Sequence, residues 1–204
     1  MDISSVKDAI HAISTALEIP AIIILILAVV VVLFQLGGVI VEFFVERLKK
    51  KPNVSLILVE LSGQNRTHMK AVIESSPFQE RQKSVFLKLL KSNVTAPDEL
   101  KLLATQLLTD EEIRLNKRVV VTDIIARIAP MFGLMATLIP LGPGLIALGQ
   151  GDTHALADSL LTAFDATVSG LAAAGVAYII SKVRKRWYQT DLTTVESILE
   201  GILQ

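Results

Sequence analysis

The chain has 204 residues, of which 51% are hydrophobic, and its mean hydropathy is positive. A soluble domain of this size rarely carries so much apolar surface. Twenty basic and twenty acidic side chains cancel, so no global positive field argues for nucleic acid, and the absence of cysteine excludes disulfides, zinc–thiolate sites and thiol catalysis.

Residues 1–18 do not read as a signal peptide. They contain Asp2, Lys7, Asp8 and Glu18, and the apolar run that follows is too long. Ser4, Val6, Ile10, Ile13 and Leu17 have the spacing of a short amphipathic helix at a membrane surface, with a partly ordered terminus as the other reading. From Ile19 to Val41 no residue is charged. About 20 apolar residues cross a hydrocarbon core, and a buried soluble helix of this length normally shows a polar stripe. Residues 19–41 therefore predict the first transmembrane helix.

Residues 42–127 predict a helical domain. Ser76-Pro77 has the form of an N-cap and first helical position. Phe78, Val85, Phe86, Leu89 and Leu90 then fall on one face, and Asn93 to Pro97 breaks the helix. Leu100, Leu103, Leu107 and Leu108 line the next one. Thr109 and Glu112 have the spacing of a capping box that restarts the chain. Equally, no Pro or Gly occurs between 98 and 129, and the favoured reading is one long unbroken helix that leaves the membrane and continues into the cytoplasm.

The second uncharged run lies between Arg127 and Asp152, and 128–149 is the expected span. Pro130, Pro140 and Pro143 predict bending or unwinding toward its far end, near 140–144. An extracytoplasmic loop is expected over 150–158 and a third span over 159–181, which encloses Asp165. An acid there needs water, a partner or a proton. Residues 182–204 form a tail. Arg47 with Lys49–Lys51, Arg114 with Lys117, Arg118 and Arg127, and Lys182 with Arg184–Arg186 flank the spans. The positive-inside rule then sets the N-terminus outside and residues 42–127 and the tail in the cytoplasm. Trp187 and Tyr188 read as an interfacial belt.

His11, His68 and His154 lack metal-ligand spacing, so no metal site or cofactor is expected, and no nucleophile–base spacing suggests an enzyme. The remaining chemistry is polar content inside the spans: Thr137 in the second, and Thr162, Asp165, Thr167 and Ser169 in or near the third. Such hydroxyls either back-bond to their own helix, glue helices together, or hold water for an ion.

The run Ala129-Pro130-Met131-Phe132-Gly133-Leu134-Met135-Ala136-Thr137-Leu138 resembles the A-P-x-x-G-L-x-G-T signature of the MotA/TolQ/ExbB proton-channel family. Ala166-Thr167-Val168-Ser169-Gly170-Leu171 resembles the A-T-x-x-G-L of its final span. The resemblance implies an all-α membrane protein with three transmembrane helices and long cytoplasmic helical extensions. It implies a homo-pentamer in the plasma membrane whose second and third spans surround a single-span partner of MotB, TolR or ExbD type. It further implies proton conduction, with sodium the lesser alternative, that drives work at a distance. By motif, Thr137 and Thr167 become pore threonines, while Pro130 and Gly133 match the start of the first motif and Gly170 the helix-packing glycine of the second; Pro140 is a kink position from its place in the span alone. Two residues depart from the pattern: Ala136 replaces a glycine, and Thr162 stands where some relatives have a glutamate, with Asp165 one turn later. A structural membrane scaffold without ion flow is the competing reading, carried by the small residues of the third span.

Overall fold

The computed structural model describes residues 3–47, 53–61, 65–92, 94 and 96–203. The described residues are helical and contain no strand: α1 (Ile3–Glu42), a π-turn (Phe43–Arg47), α2 (Val54–Leu61), α3 (Arg66–Ser75), α4 (Glu80–Lys91), α5 (Pro97–Gly149) and α6 (Thr153–Leu203). Among them, three helices are long and apolar enough to cross a membrane: Ser4–Val45, Pro97–Gly149 and Thr153–Leu203. The chain divides into two compact units, Met1–Gly38 with Val120–Lys182, and Val39–Val119 with Val183–Gln204.

The first unit is a three-helix assembly with small residues at its centre. On α1, Ala21, Leu25, Ala28 and Val32 are buried at steps of three and four, while Ile23, Ile26, Leu27, Val30 and Leu33 are exposed. That distribution suits lipid, which leaves bulky aliphatics on the outside and small side chains where helices meet. Leu25 packs with Ala136 of α5 and Ala166 of α6.

The turn between α5 and α6 is tight. Gly151 adopts φ +85°, its N–H donates to Leu148 O at 3.0 Å, and the Asp152 N–H donates to Ala147 O at 3.0 Å. These two bonds close a Schellman motif around a left-handed residue that only glycine adopts without strain. The Asp152 carboxylate then accepts the Ala155 N–H at 2.9 Å and caps α6. Of the stretch 150–158, expected as a loop, only 150–152 is non-helical.

The second unit has a conventional core. Ile57 and Leu61 of α2, Met69 and Ile73 of α3, Phe86 and Leu89 of α4, Leu100 of α5 and Ile198 of α6 all bury their side chains in it. Arg66 donates to Ser92 O at 3.1 Å and Val94 O at 3.0 Å, satisfying carbonyls at and beyond the end of α4.

Three local expectations change. Ser76 ends α3 rather than starting α4, its backbone N–H donating to Val72 O at 3.1 Å. Gln79 is the N-cap of α4, and its N–H reaches the Gln82 side chain at 3.4 Å. The shift follows from Phe78, which is buried against Phe86 with ring centroids 5.2 Å apart, so the chain must enter before it can turn. Residues 140–144 stay helical despite Pro140 and Pro143. Each proline removes one backbone donor, and in lipid an unwound segment would expose several more groups without water. The long unbroken helix favoured over 98–129 is α5, and the Thr109 hydroxyl donates to Thr105 O at 2.9 Å within it instead of capping a new helix. Residues 3–18 continue directly into the first span as α1 instead of forming a separate helix. Lys49–Lys51 and Asn93 lie outside the described residues.

Candidate functional site

The polar residues of the spans are set by the register of α5 against α6. Gly133 and Gly170 meet almost backbone to backbone. A Cβ on Gly170 would lie 2.9 Å from Ala129 O and 3.0 Å from Gly133 Cα, and one on Gly133 would lie 3.3 Å from Ala166 O. Ten residues earlier on α5, Asp123 Oδ1 accepts a bond of 2.9 Å from Ser181 Oγ, eleven residues later on α6. Eleven residues beyond Gly133, a Cβ on Gly144 would lie 3.0 Å from Ser159 Cβ, eleven residues before Gly170. The steps match, so the hairpin is antiparallel in constant register. Thr137 is consequently level with Ala166, and Thr167 with Ala136: the two threonines lie at one depth.

They do not share an environment. Thr137 is 8% exposed and its hydroxyl donates to Leu134 O at 2.7 Å. Thr167 is half-buried beside Gly133. Thr162, Asp165 and Ser169 are exposed in the single chain and, at i, i+3 and i+7, occupy one face of α6. That face borders the buried side of α6, since Ala166 is four residues after Thr162 and three before Ser169, and it leads away from Ala163, Gly170 and Ala177 toward the apolar side. Its borders are greasy: Leu161, Phe164, Val168 and Leu171 are all more than half exposed. The Thr162 hydroxyl donates to Asp158 O at 3.0 Å, so its lone pairs point outward. Asp165 comes seven residues after Asp158 and seventeen before Lys182, about 10 Å and 25 Å along the helix axis. Asp165 therefore stands between those charges, nearer the turn end of the stretch.

Pro130 is half-buried in α5 directly before the Gly133 contact, and Pro140 is buried one turn past Thr137. The motif residues thus form one side of the α5–α6 contact, and the acidic stripe forms another side of α6.

The family model of the MotA/TolQ/ExbB proton channel family matches residues 66–197, more than half of the chain and inclusive of both spans of this hairpin. The chain belongs to that family. No curated protein matches it. It is an all-α membrane protein of a proton-channel family.

Two polar groups of this proton-channel family member were not singled out from sequence. One is Asp123, held by Ser181 and by Arg127 at 3.2 Å. The other, in the second unit, is a buried cluster around Glu42. Arg184 Nε lies 3.4 Å from Glu42 Oε2, the Tyr188 hydroxyl donates to the same oxygen at 3.4 Å, and all three residues are under one-tenth exposed. Arg118 also hydrogen-bonds Tyr188. Burial first, then the Glu42 charge, pushes the Tyr188 phenol above its usual range. Phe43 stacks on Trp187 next to this cluster, with ring centroids 6.2 Å apart. Glu42 and Tyr188 are separated by 146 residues, so no sequence spacing links them. Among the described residues no group of three or more His, Asp or Glu has the arrangement of a metal site.

Proposed function

We propose that the chain is the pore-forming subunit of a proton-driven energy-transducing complex. Five copies surround a single-span partner of MotB, TolR or ExbD type in the plasma membrane, and protons pass between them. The observation that carries this reading is the stripe Thr162–Asp165–Ser169, a polar face exposed on α6 between its buried small residues and the row of bulky apolar side chains Leu161, Phe164, Val168 and Leu171. An ionisable group facing lipid costs several kcal/mol, roughly 2.5–3.5 for an acid at mid-span. Closing a ring of copies hides such a face from lipid and supplies it with water or a partner helix.

Within that ring Thr137 and Thr167 form hydroxyl rings at one level; Asp165, about 200° around α6 from Thr167, faces a neighbouring subunit, where it handles the proton with Thr162 and Ser169 holding water beside it. Pro130, Gly133, Pro140 and Gly170 shape the contact that sets those levels. The N-terminus lies outside, residues 42–127 and the tail from 182 lie in the cytoplasm, and the basic residues at the span ends support that orientation.

The test is partner-dependent proton flux in liposomes, with native mass spectrometry of the assembly in mild detergent. The reading expects a pentamer, and it expects Asp165→Asn to lower flux while leaving assembly intact. Only monomers and dimers, or wild-type complexes without flux, would refute it. An assembly that forms without flux is the scaffold alternative, which the close Gly133–Gly170 packing also supports.

A further inference from the structure

The geometry points to Asp123 as the group through which protons leave the spans at the end opposite the α5–α6 turn. The inference rests on the proton-conducting reading above and adds a residue that the family motifs do not contain.

Four acids lie on the hairpin and its turn within the first unit. Asp152 and Asp158 are at the turn and Asp165 is part-way along, so Asp123 is the acid at the far end. It is level with Ser181, sixteen residues or about 24 Å beyond Asp165 along α6. A proton crosses that distance by water, and it needs an acceptor where the water path meets the aqueous phase. Asp123 is built for that position in three respects. Its Oδ1 is anchored by the hydroxyl of Ser181, which is 1% exposed and therefore cannot wander. Its other oxygen meets Arg127 at 3.2 Å. Its side chain is 30% exposed, so it stays open to solvent, while the Arg127 side chain is 77% exposed and free to swing. Lys182, the neighbouring cation on α6, sits over the Tyr178 ring at 5.4 Å.

The cycle balances without any other reactant. A hydronium ion gives its proton to the Asp123 carboxylate and leaves water. The neutral acid no longer holds Arg127, which turns outward. The acid then gives its proton to water on the open side, and the returning guanidinium restores the ion pair. Ser181 positions the carboxylate throughout and exchanges no net proton.

The experiment uses the assembled complex with its single-span partner in liposomes, a potassium–valinomycin potential, and an internal pH dye. Asp123→Asn, which keeps the shape and the Ser181 bond, is expected to lower flux at least tenfold with assembly unchanged. Asp123→Glu is expected to retain a third or more. Ser181→Ala, which leaves the carboxylate but frees it, is expected to lower flux two- to fivefold. External formate, a small mobile carboxylate, is expected to restore part of the Asp123→Asn flux. Asp123→Asn flux within twofold of wild type overturns the inference, as does a defect with normal assembly that formate leaves untouched. If Asp123→Asn fails to assemble, the other two variants decide: wild-type flux in both overturns the relay, and a loss in Ser181→Ala upholds it. A wild-type complex without flux is a different failure, that of the proton-conducting reading itself.

Discussion

Gly170→Ala is the most direct probe of the hairpin, because the new methyl meets backbone on the facing helix. Its Cβ would lie 2.9 Å from Ala129 O and 3.0 Å from Gly133 Cα, so neither neighbour can move away by a rotamer change. Carbon and oxygen pack at about 3.4 Å or more, so α5 and α6 must separate by roughly half an ångström. Overpacking of this kind costs about 1–3 kcal/mol. Against it stands the helix propensity gained on replacing glycine by alanine, about 0.8–1.0 kcal/mol. Gly175→Ala on the same helix receives the same gain but meets nothing within 4 Å. The difference between the two variants therefore isolates the contact, and about 1–3 kcal/mol is expected, a factor of about 5 to 150 in the unfolding equilibrium. The assay is reversible unfolding of the dissociated subunit in mixed micelles. Equal stability of Gly170→Ala and Gly175→Ala would refute the close approach and with it the register that puts Thr137 level with Thr167.

Thr137→Val and Thr167→Val keep side-chain shape but remove donor and acceptor, so each is expected to block partner-dependent proton flux while the corresponding Ser variants retain much of it; wild-type flux in both Val variants ends the pore-lining assignment. Arg184→Met leaves the Glu42 carboxylate buried without its cation, and a loss of about 3–5 kcal/mol is expected in denaturant unfolding followed by Trp187 fluorescence. A loss under 1 kcal/mol would mean the pair is solvated. The Tyr188 phenol is raised above its unfolded value of 10.0, so its contribution to stability is complete below pH 10 and falls as pH rises from there through the folded-state pKa. Tyr188→Phe is therefore expected to lessen the alkaline loss relative to wild type, and parallel stability curves above pH 10 would contradict this.

Several features were legible from sequence because they are local. An uncharged run from Ile19 to Val41 can satisfy its backbone only as a helix, and the absence of glycine and proline between 98 and 129 leaves nothing to stop α5. The amphipathic spacing of Val85, Phe86 and Leu89 likewise anticipates their burial. Where sequence reasoning erred, a tertiary contact outweighed a local preference. Ser76-Pro77 carries a good helix-start signal, yet burial of Phe78 delays the helix to Glu80.

The sequence by itself determined the helical class, the three apolar helices and the family motifs, since hydropathy and helical period are properties of neighbours along the chain. The depth and direction of each polar side chain were decided only by tertiary structure. The Gly151 turn and the Gly133–Gly170 contact jointly set the register of α5 on α6. That register puts Thr137 and Thr167 at one level and brings Asp123 to Ser181 across 58 residues of chain. The same holds for Glu42, Arg184 and Tyr188, which look like ordinary span-end residues along the chain and which packing buries together. Electrostatics and hydrogen bonding act through distances in space, and the chain specifies those distances only once its small residues have let the helices close.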